Sequence, residues 1–120
     1  MRGQSVLRKQ TSQFIAENPT DVVITRQVMK DDGAGGSIPD GPPSSLDPQR
    51  VRVVIKSLNQ QIEFRTVEGE VLKPEYSIVG EYDADIREGD SFTYDGNRIE
   101  VVFVFSIGDY ERRAEAVRRG

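Results

Sequence analysis

Cysteine, histidine and tryptophan are all absent from this chain of 120 residues, and four tyrosines with five phenylalanines are its only aromatic side chains. Without cysteine there is neither a disulfide framework nor a thiolate metal site. Without histidine the commonest general base and the commonest metal ligand are missing. Most enzyme mechanisms thereby lose their usual parts, so neither catalysis nor a cofactor is expected. No apolar run approaches the roughly 20 residues that cross a bilayer. Nor does Met1-Arg2-Gly3-Gln4-Ser5 lead into the apolar core of a secretory signal. The expectation is a protein made and used in a cytoplasm, without a membrane partner.

Positive charge is also in short supply. Sixteen basic residues face 20 acidic ones, a net charge of −4, which argues against a sequence-blind grip on nucleic acid. Arg112, Arg113, Arg118 and Arg119 do crowd the C-terminal end, where a solvated helix face accounts for them.

What is present is β patterning. Ile99, Val101, Phe103, Phe105 and Ile107 recur at every second position, so one face of a single long strand reads as wholly apolar and buried. Asp95-Gly96 before it is a two-residue hairpin turn, because both positions accept positive φ. Val51, Val53 and Ile55 alternate with Arg52, Val54 and Lys56 as a half-buried strand, residues 21–30 form a β-branched first strand, and Tyr76, Ile78 and Tyr82 mark another. Leu7, Thr11, Phe14 and Ile15 share one side of a short helix over residues 5–18 that must stop before Pro19. Residues 109–119 read as a closing helix, with Asp109 as N-cap and arginines at the end. Residues 31–49, with Gly33-Ala34-Gly35-Gly36 and Gly41-Pro42-Pro43, read as a long flexible loop, and residues 57–73 as a projecting hairpin or second mobile loop. The fold class expected is mainly β: one domain over residues 1–120, a small β-barrel of about six strands with a short N-terminal helix, a C-terminal helix and long loops.

Candidate sites are few. Asp83-Ala84-Asp85-Ile86-Arg87-Glu88-Gly89 has the look of a calcium loop, but Arg87 occupies a ligand position and Gly89 comes one place late. Asp83, Asp85, Glu88 and Asp90 offer no distinguished pair for hydrolysis, and the glycines of residues 33–36 lack the lysine and hydroxyl of a phosphate loop.

The assembled pattern resembles the head-closure or stopper proteins, also called head-tail joining proteins, of tailed bacteriophages and prophages. The carriers are the helix leading to Asn18-Pro19-Thr20-Asp21-Val22-Val23-Ile24, the Asp31-Asp32-Gly33-Ala34-Gly35-Gly36 loop, and Tyr82-Asp83-Ala84-Asp85-Ile86-Arg87-Glu88-Gly89-Asp90 followed by Phe92, Gly96 and Ile99-Glu100-Val101-Val102. The resemblance implies a virion protein assembled in the bacterial cytoplasm, a monomer in solution that joins a ring, typically dodecameric, beneath portal and adaptor. Its partners would be further copies of itself, the portal and adaptor, a tail-completion or tail-terminator protein, and packaged DNA nearby in the channel. Carried onto this chain, the channel-gating loop corresponds to residues 57–73, with Gln60, Gln61, Ile62, Glu63, Phe64, Arg65, Glu68 and Glu70 as gating residues. Asp31, Asp32, Gly33, Gly35, Gly36, Arg112 and Arg113 become candidates for adaptor or tail contacts. The Pro-rich extension Gly41-Pro42-Pro43 departs from shorter family members. Two other classes compete: a tail terminator, and a small nucleic-acid-binding barrel, which would want aromatic platforms in a basic groove.

Overall fold

The computed structural model describes residues 2–65 and 69–119. A helix α1 (Arg2–Glu17) precedes the strands β1 (Thr20–Val22), β2 (Thr25–Arg26), β3 (Met29–Asp31), β4 (Ser37–Pro39), β5 (Ser44–Ser45), β6 (Gln49–Ile55), β7 (Phe64–Arg65), β8 (Val71–Leu72), β9 (Tyr76–Glu81), β10 (Ser91–Tyr94), β11 (Asn97–Ile107) and β12 (Glu111–Arg118). Eight of these form one antiparallel sheet in the order β1-β6-β9-β12-β11-β10-β2-β5, while β3 with β4 and β7 with β8 make separate two-stranded ribbons. Only Val23 and Ile24 separate β1 from β2, yet these strands lie far apart in the sheet order. The sheet therefore curls until its two ends meet at residues 20–26. The expected first strand over residues 21–30 is in fact three short pieces: β1 and β2 lie toward opposite ends of the sheet, and β3 belongs to a separate ribbon with β4.

Inside the curl lie Val22, Ile24, Val51, Val53, Tyr76, Ile78, Ile86, Phe92, Ile99, Val101, Ala114 and Ala116. Those in strands come from alternate positions, as a surface buried on one face requires, while Ile24 and Ile86 enter from the connections. On the outside, α1 lies across β6 and β9 and buries Thr11 and Ile15. Burying a side chain of isoleucine size contributes about 1.5–3 kcal/mol, and packing of this kind, rather than helix propensity, is what holds a short helix that is marginal alone.

Three further expectations are corrected. Residues 109–119 are not a helix: a turn at Gly108–Tyr110 leads into β12, which pairs with β11 on one side and β9 on the other. Ala114 and Ala116 are fully buried there, and their small side chains let this strand run through the middle of the sheet; packing overrides the high helix propensity of the segment. The alternation of β11 also breaks. Val101 lies opposite Ala116 and Phe103 opposite Glu115, so Val102 is an inserted bulge residue that reverses the facing of everything after it. Val104 packs on the core instead, while Phe103 and Phe105 share the outer face with ring centroids 5.8 Å apart. Lastly, residues 31–49 are not a featureless loop: β3 and β4 form a hairpin, and β5 adds to the edge of β2. The Asp95-Gly96 turn has the expected geometry, with φ of 51° and 77° and Tyr94 paired to Asn97.

Candidate functional site

Two hairpins leave the curled sheet, and they carry nearly all of the candidate residues. The first spans residues 27–41 and is rooted in a polar clamp. Arg26 donates from Nε and Nη2 to the two carboxylate oxygens of Asp90, at 2.9 and 2.8 Å, and reaches Asp85 at 3.1 Å. Asp90 is buried, and its Oδ2 also accepts the Arg87 N–H at 2.8 Å. The turn that presents it needs Gly89, whose φ is 90°, with the Asp90 N–H closing on the Arg87 carbonyl. Gln49 completes the clamp through both ends of its side-chain amide, Nε2 donating to the Asp85 carbonyl and Oε1 accepting the Asp85 N–H. The Arg26 hydrogen bond holds the Asp85 carboxyl below its ordinary range, and the bond to Asp90 raises the Arg26 guanidinium further above its already high value. The β2–β10 ladder that closes the sheet has a single opposed pair, Thr25 with Ser91, so this ion-pair cluster reinforces the seam.

At the hairpin's tip, Asp31 and Asp32 act on their own backbone. Asp31 accepts the Gly33 N–H at 2.8 Å, and Asp32 accepts those of Ala34 at 2.7 Å and Gly36 at 3.0 Å. Those donors lower the Asp32 pKa, that of Ala34 most. Gly33 and Gly35 take positive φ, and a Cβ on Gly36 would stand 2.6 Å from the Asp32 carboxylate. The tip is thus a self-contained turn. All six strand residues of the hairpin are exposed.

The second hairpin, residues 57–73, joins β6 to β9 and contains β7 and β8, with Phe64 opposite Leu72 and Arg65 opposite Val71. Buried Leu72 and Pro74 anchor its root. Gln60 is part of that root: its side chain accepts the Ser57 N–H and its own N–H donates to the Ser57 carbonyl. Gln61 donates weakly to the Lys56 carbonyl at 3.4 Å, and Glu70 accepts from Arg119 at 3.1 Å. Ile62, Glu63 and Arg65 are exposed, Ile62 at 63 %. Glu68 lies outside the described residues.

Arg112 and Arg113 do not join the first hairpin's tip. They sit half-buried in β12, where Arg112 donates to the Ser106 hydroxyl and Arg113 pairs with Glu111. The clamp of Arg26, Asp85, Asp90 and Gln49 is what sequence reasoning missed. Its one legible signal was an arginine inside a β-branched run and an aspartate placed between a glycine turn and a strand. Among the described residues no group of acidic side chains is arranged to hold a metal ion, and no helix is long and apolar enough to cross a membrane.

No protein-family model matches the chain, and no curated protein matches it. A solved structure does: the phage-like element PBSX protein xkdH from Bacillus subtilis is similar over 83 % of this chain and 93 % of that one, with a TM-score of 0.52 and 12 % sequence identity. At that identity the likeness concerns the fold.

Proposed function

We propose that this protein is a structural subunit of a tailed-phage head-tail connector, of the head-closure or stopper kind, with no catalytic activity. The observation that carries the reading is the hairpin of residues 57–73, held at its root by Leu72 and Pro74 and exposing Ile62, Glu63 and Arg65 beyond the sheet. The fold likeness to a protein of a phage-like element supports it. In a ring, each copy would direct this hairpin toward the axis. Its strands β7 and β8 have two residues each, and such short ribbons complete their hydrogen bonds by pairing with neighbours. Glu63 and Glu70 place negative charge beside a DNA passage, limiting adhesion in a channel that must later conduct. Copies of itself, the portal and adaptor, and a tail-completion protein are the partners.

The test is deletion of the gene from its phage or prophage, with the particles examined by electron microscopy. Packaged heads that leak DNA beside finished free tails are expected. Uncapped or overlong tails on normal heads would instead make this a tail terminator, and intact infectious particles would remove it from the connector. A chain lacking residues 60–70 should keep its circular dichroism and melting but fail to retain the genome in complementation.

A further inference from the structure

The sheet ends at β1 and β5, and both strands are blunted. β1 has three residues with exposed Asp21 in its middle, and β5 has two, directly preceded by Pro42-Pro43. Short length, charge and proline protect an edge whose N–H and C=O groups would otherwise pair with another chain. A third edge lies within the sheet and has none of these. β11 runs for 11 residues, but β10 has four and pairs only with Asn97 to Glu100. Just beyond, the Val101 N–H donates to the Asp90 carbonyl and the Val101 carbonyl accepts the Gly89 N–H, and there the ladder stops. Among the described residues no strand lies beside residues 104–107 on that side. Backbone polar groups alternate between the two sides of a strand, so half of those in residues 104–107 are turned away from β12 into an open lane.

The side chains along this lane suit strand pairing. Val101-Val102-Phe103-Val104-Phe105-Ser106-Ile107 consists almost wholly of strand formers and contains no charge, proline or glycine, the composition that takes up a further strand most readily. Val104 packs inward, while Phe103 and Phe105 share the outer face. At the Val101 end a groove of about 460 Å³ opens between the Gly89 turn and the root of the second hairpin, with Val102 and Leu72 in its lining. Its charged lining is Glu70, Glu88 and Glu100 against Arg119. Arg119 is already shared between Glu70 and Glu100, whereas Glu88 is exposed and forms no ion pair among the described residues. The lane is therefore apolar along its length and acidic at its head.

We infer that the lane beyond β10 receives an extended segment of another protein, which pairs with residues 104–107 of β11 as an added strand. Main-chain hydrogen bonds to β11 supply the attachment, and alternate side chains supply the selectivity. Apolar residues of the segment lie beside Phe105, and a lysine or arginine at its end meets Glu88. The partner is defined by this chemistry alone, so the inference does not need the connector reading.

Amide hydrogen exchange, followed residue by residue by NMR, tests this on the intact chain. In the free protein, the amides of residues 104–107 that β12 does not engage should exchange about 100-fold faster than those it does. The probe is the capped peptide Lys-Val-Thr-Val-Thr-Val, which should slow those fast amides about tenfold when added at millimolar concentration. N-methylation of the peptide at alternate backbone nitrogens gives two phases with the same side chains and charge. One phase should abolish binding and the other spare it, because only one set of its N–H groups faces β11. Glu88→Lys should weaken the peptide about tenfold and favour a version beginning with glutamate. Phe105→Lys should block the lane while leaving circular dichroism and melting unchanged. Uniformly slow amides in the free protein would mean the lane is already filled, and protection that grows with protein concentration would make its occupant a second copy. Either result overturns the inference. So does a lack of protection by the peptide, or equal tolerance of both N-methylated phases.

Discussion

The two hairpins leave the same curled sheet and are fastened by different physics. The first is rooted in a buried ion pair, Arg26 with Asp90, and shaped at its tip by aspartate oxygens accepting backbone N–H groups. The second is rooted in apolar burial, Leu72 and Pro74, with an exposed ion pair from Arg119 to Glu70 beside it. Polar roots fix direction, because Arg26 can satisfy two carboxylates in only one arrangement. Apolar roots tolerate some movement of what lies beyond them. Under the proposed connector role, the difference suits a second hairpin that rearranges around the axis of a ring.

The sharpest way to break that contrast is Asp90→Ala. Arg26 would keep only the more exposed Asp85, and removing one member of a buried pair strands the other, at a cost of about 3–5 kcal/mol. A fall in Tm of about 10–20 °C is expected. Because Arg26 sits on the closing seam, the loss should be global, with increased hydrogen exchange across β2 and β10. If Arg26→Met with Asp90→Leu recovers most of the stability, the pair serves orientation more than energy, and the first hairpin should then show the larger exchange.

Leu72→Ala tests the other root. Truncating a buried leucine costs about 2–3 kcal/mol, but this one lies at the margin of the fold and outside the central cluster. The expected result is local: faster exchange at the amides of residues 58–65 with the sheet protected. Cooperative unfolding of the sheet at the same midpoint shift would mean that the second hairpin belongs to the core.

How much of this was legible in the chain depends on range. The buried alternation of Val51 and Val53 and the Asp95-Gly96 turn are local signals that were read correctly, whereas Ile55, expected to continue that buried face, is 64 % exposed. The bulge at Val102 was not legible, since nothing in an uninterrupted apolar run says where an extra residue is inserted. In β12, Glu-Arg-Arg-Ala-Glu-Ala-Val-Arg carries helix formers with charges placed as a helix favours. Its place between β9 and β11 follows from zero exposure at Ala114 and Ala116, which only the surrounding sheet dictates. The clamp joins residues 64 positions apart, Arg26 and Asp90, so no window of sequence contains it. The second hairpin's excursion from the sheet was readable because residues 57–73 lack a core run. Which of its side chains are tied down, Gln60 and Glu70 among them, was not.

Acid separates the first hairpin from the rest of the fold by a smaller effect. Arg26 depresses the Asp85 carboxyl at the root, and the Ala34 and Gly36 amides depress that of Asp32 at the tip. A carboxyl whose folded pKa lies below its unfolded value of about 3.9 contributes stability that is fully present above that value and lost as pH falls through the folded one. Below about pH 4 the tip amides of Ala34 and Gly36 and the Asp85 side of the clamp should therefore both lose protection. Asp32→Asn should remove the tip's share of the pH dependence. Amide protection at Ala34 and Gly36 that is flat from neutral pH down to about pH 2 would mean the carboxylate bonds do not shape the tip in solution.

The smallest effect is expected at the second hairpin's ion pair. Arg119 reaches both Glu70, at 3.1 Å, and Glu100, at 3.2 Å, with about a third of its side chain exposed. Exposed pairs of this kind contribute about 0–1 kcal/mol and weaken with salt. Arg119→Ala should therefore lower Tm only slightly while loosening residues 69–71, and at high salt it should match the unmodified chain. A loss approaching that of Leu72→Ala would make the root of this hairpin electrostatic after all. The two hairpins would then be fastened alike, and the mobility argued for the second would have no basis in its anchoring.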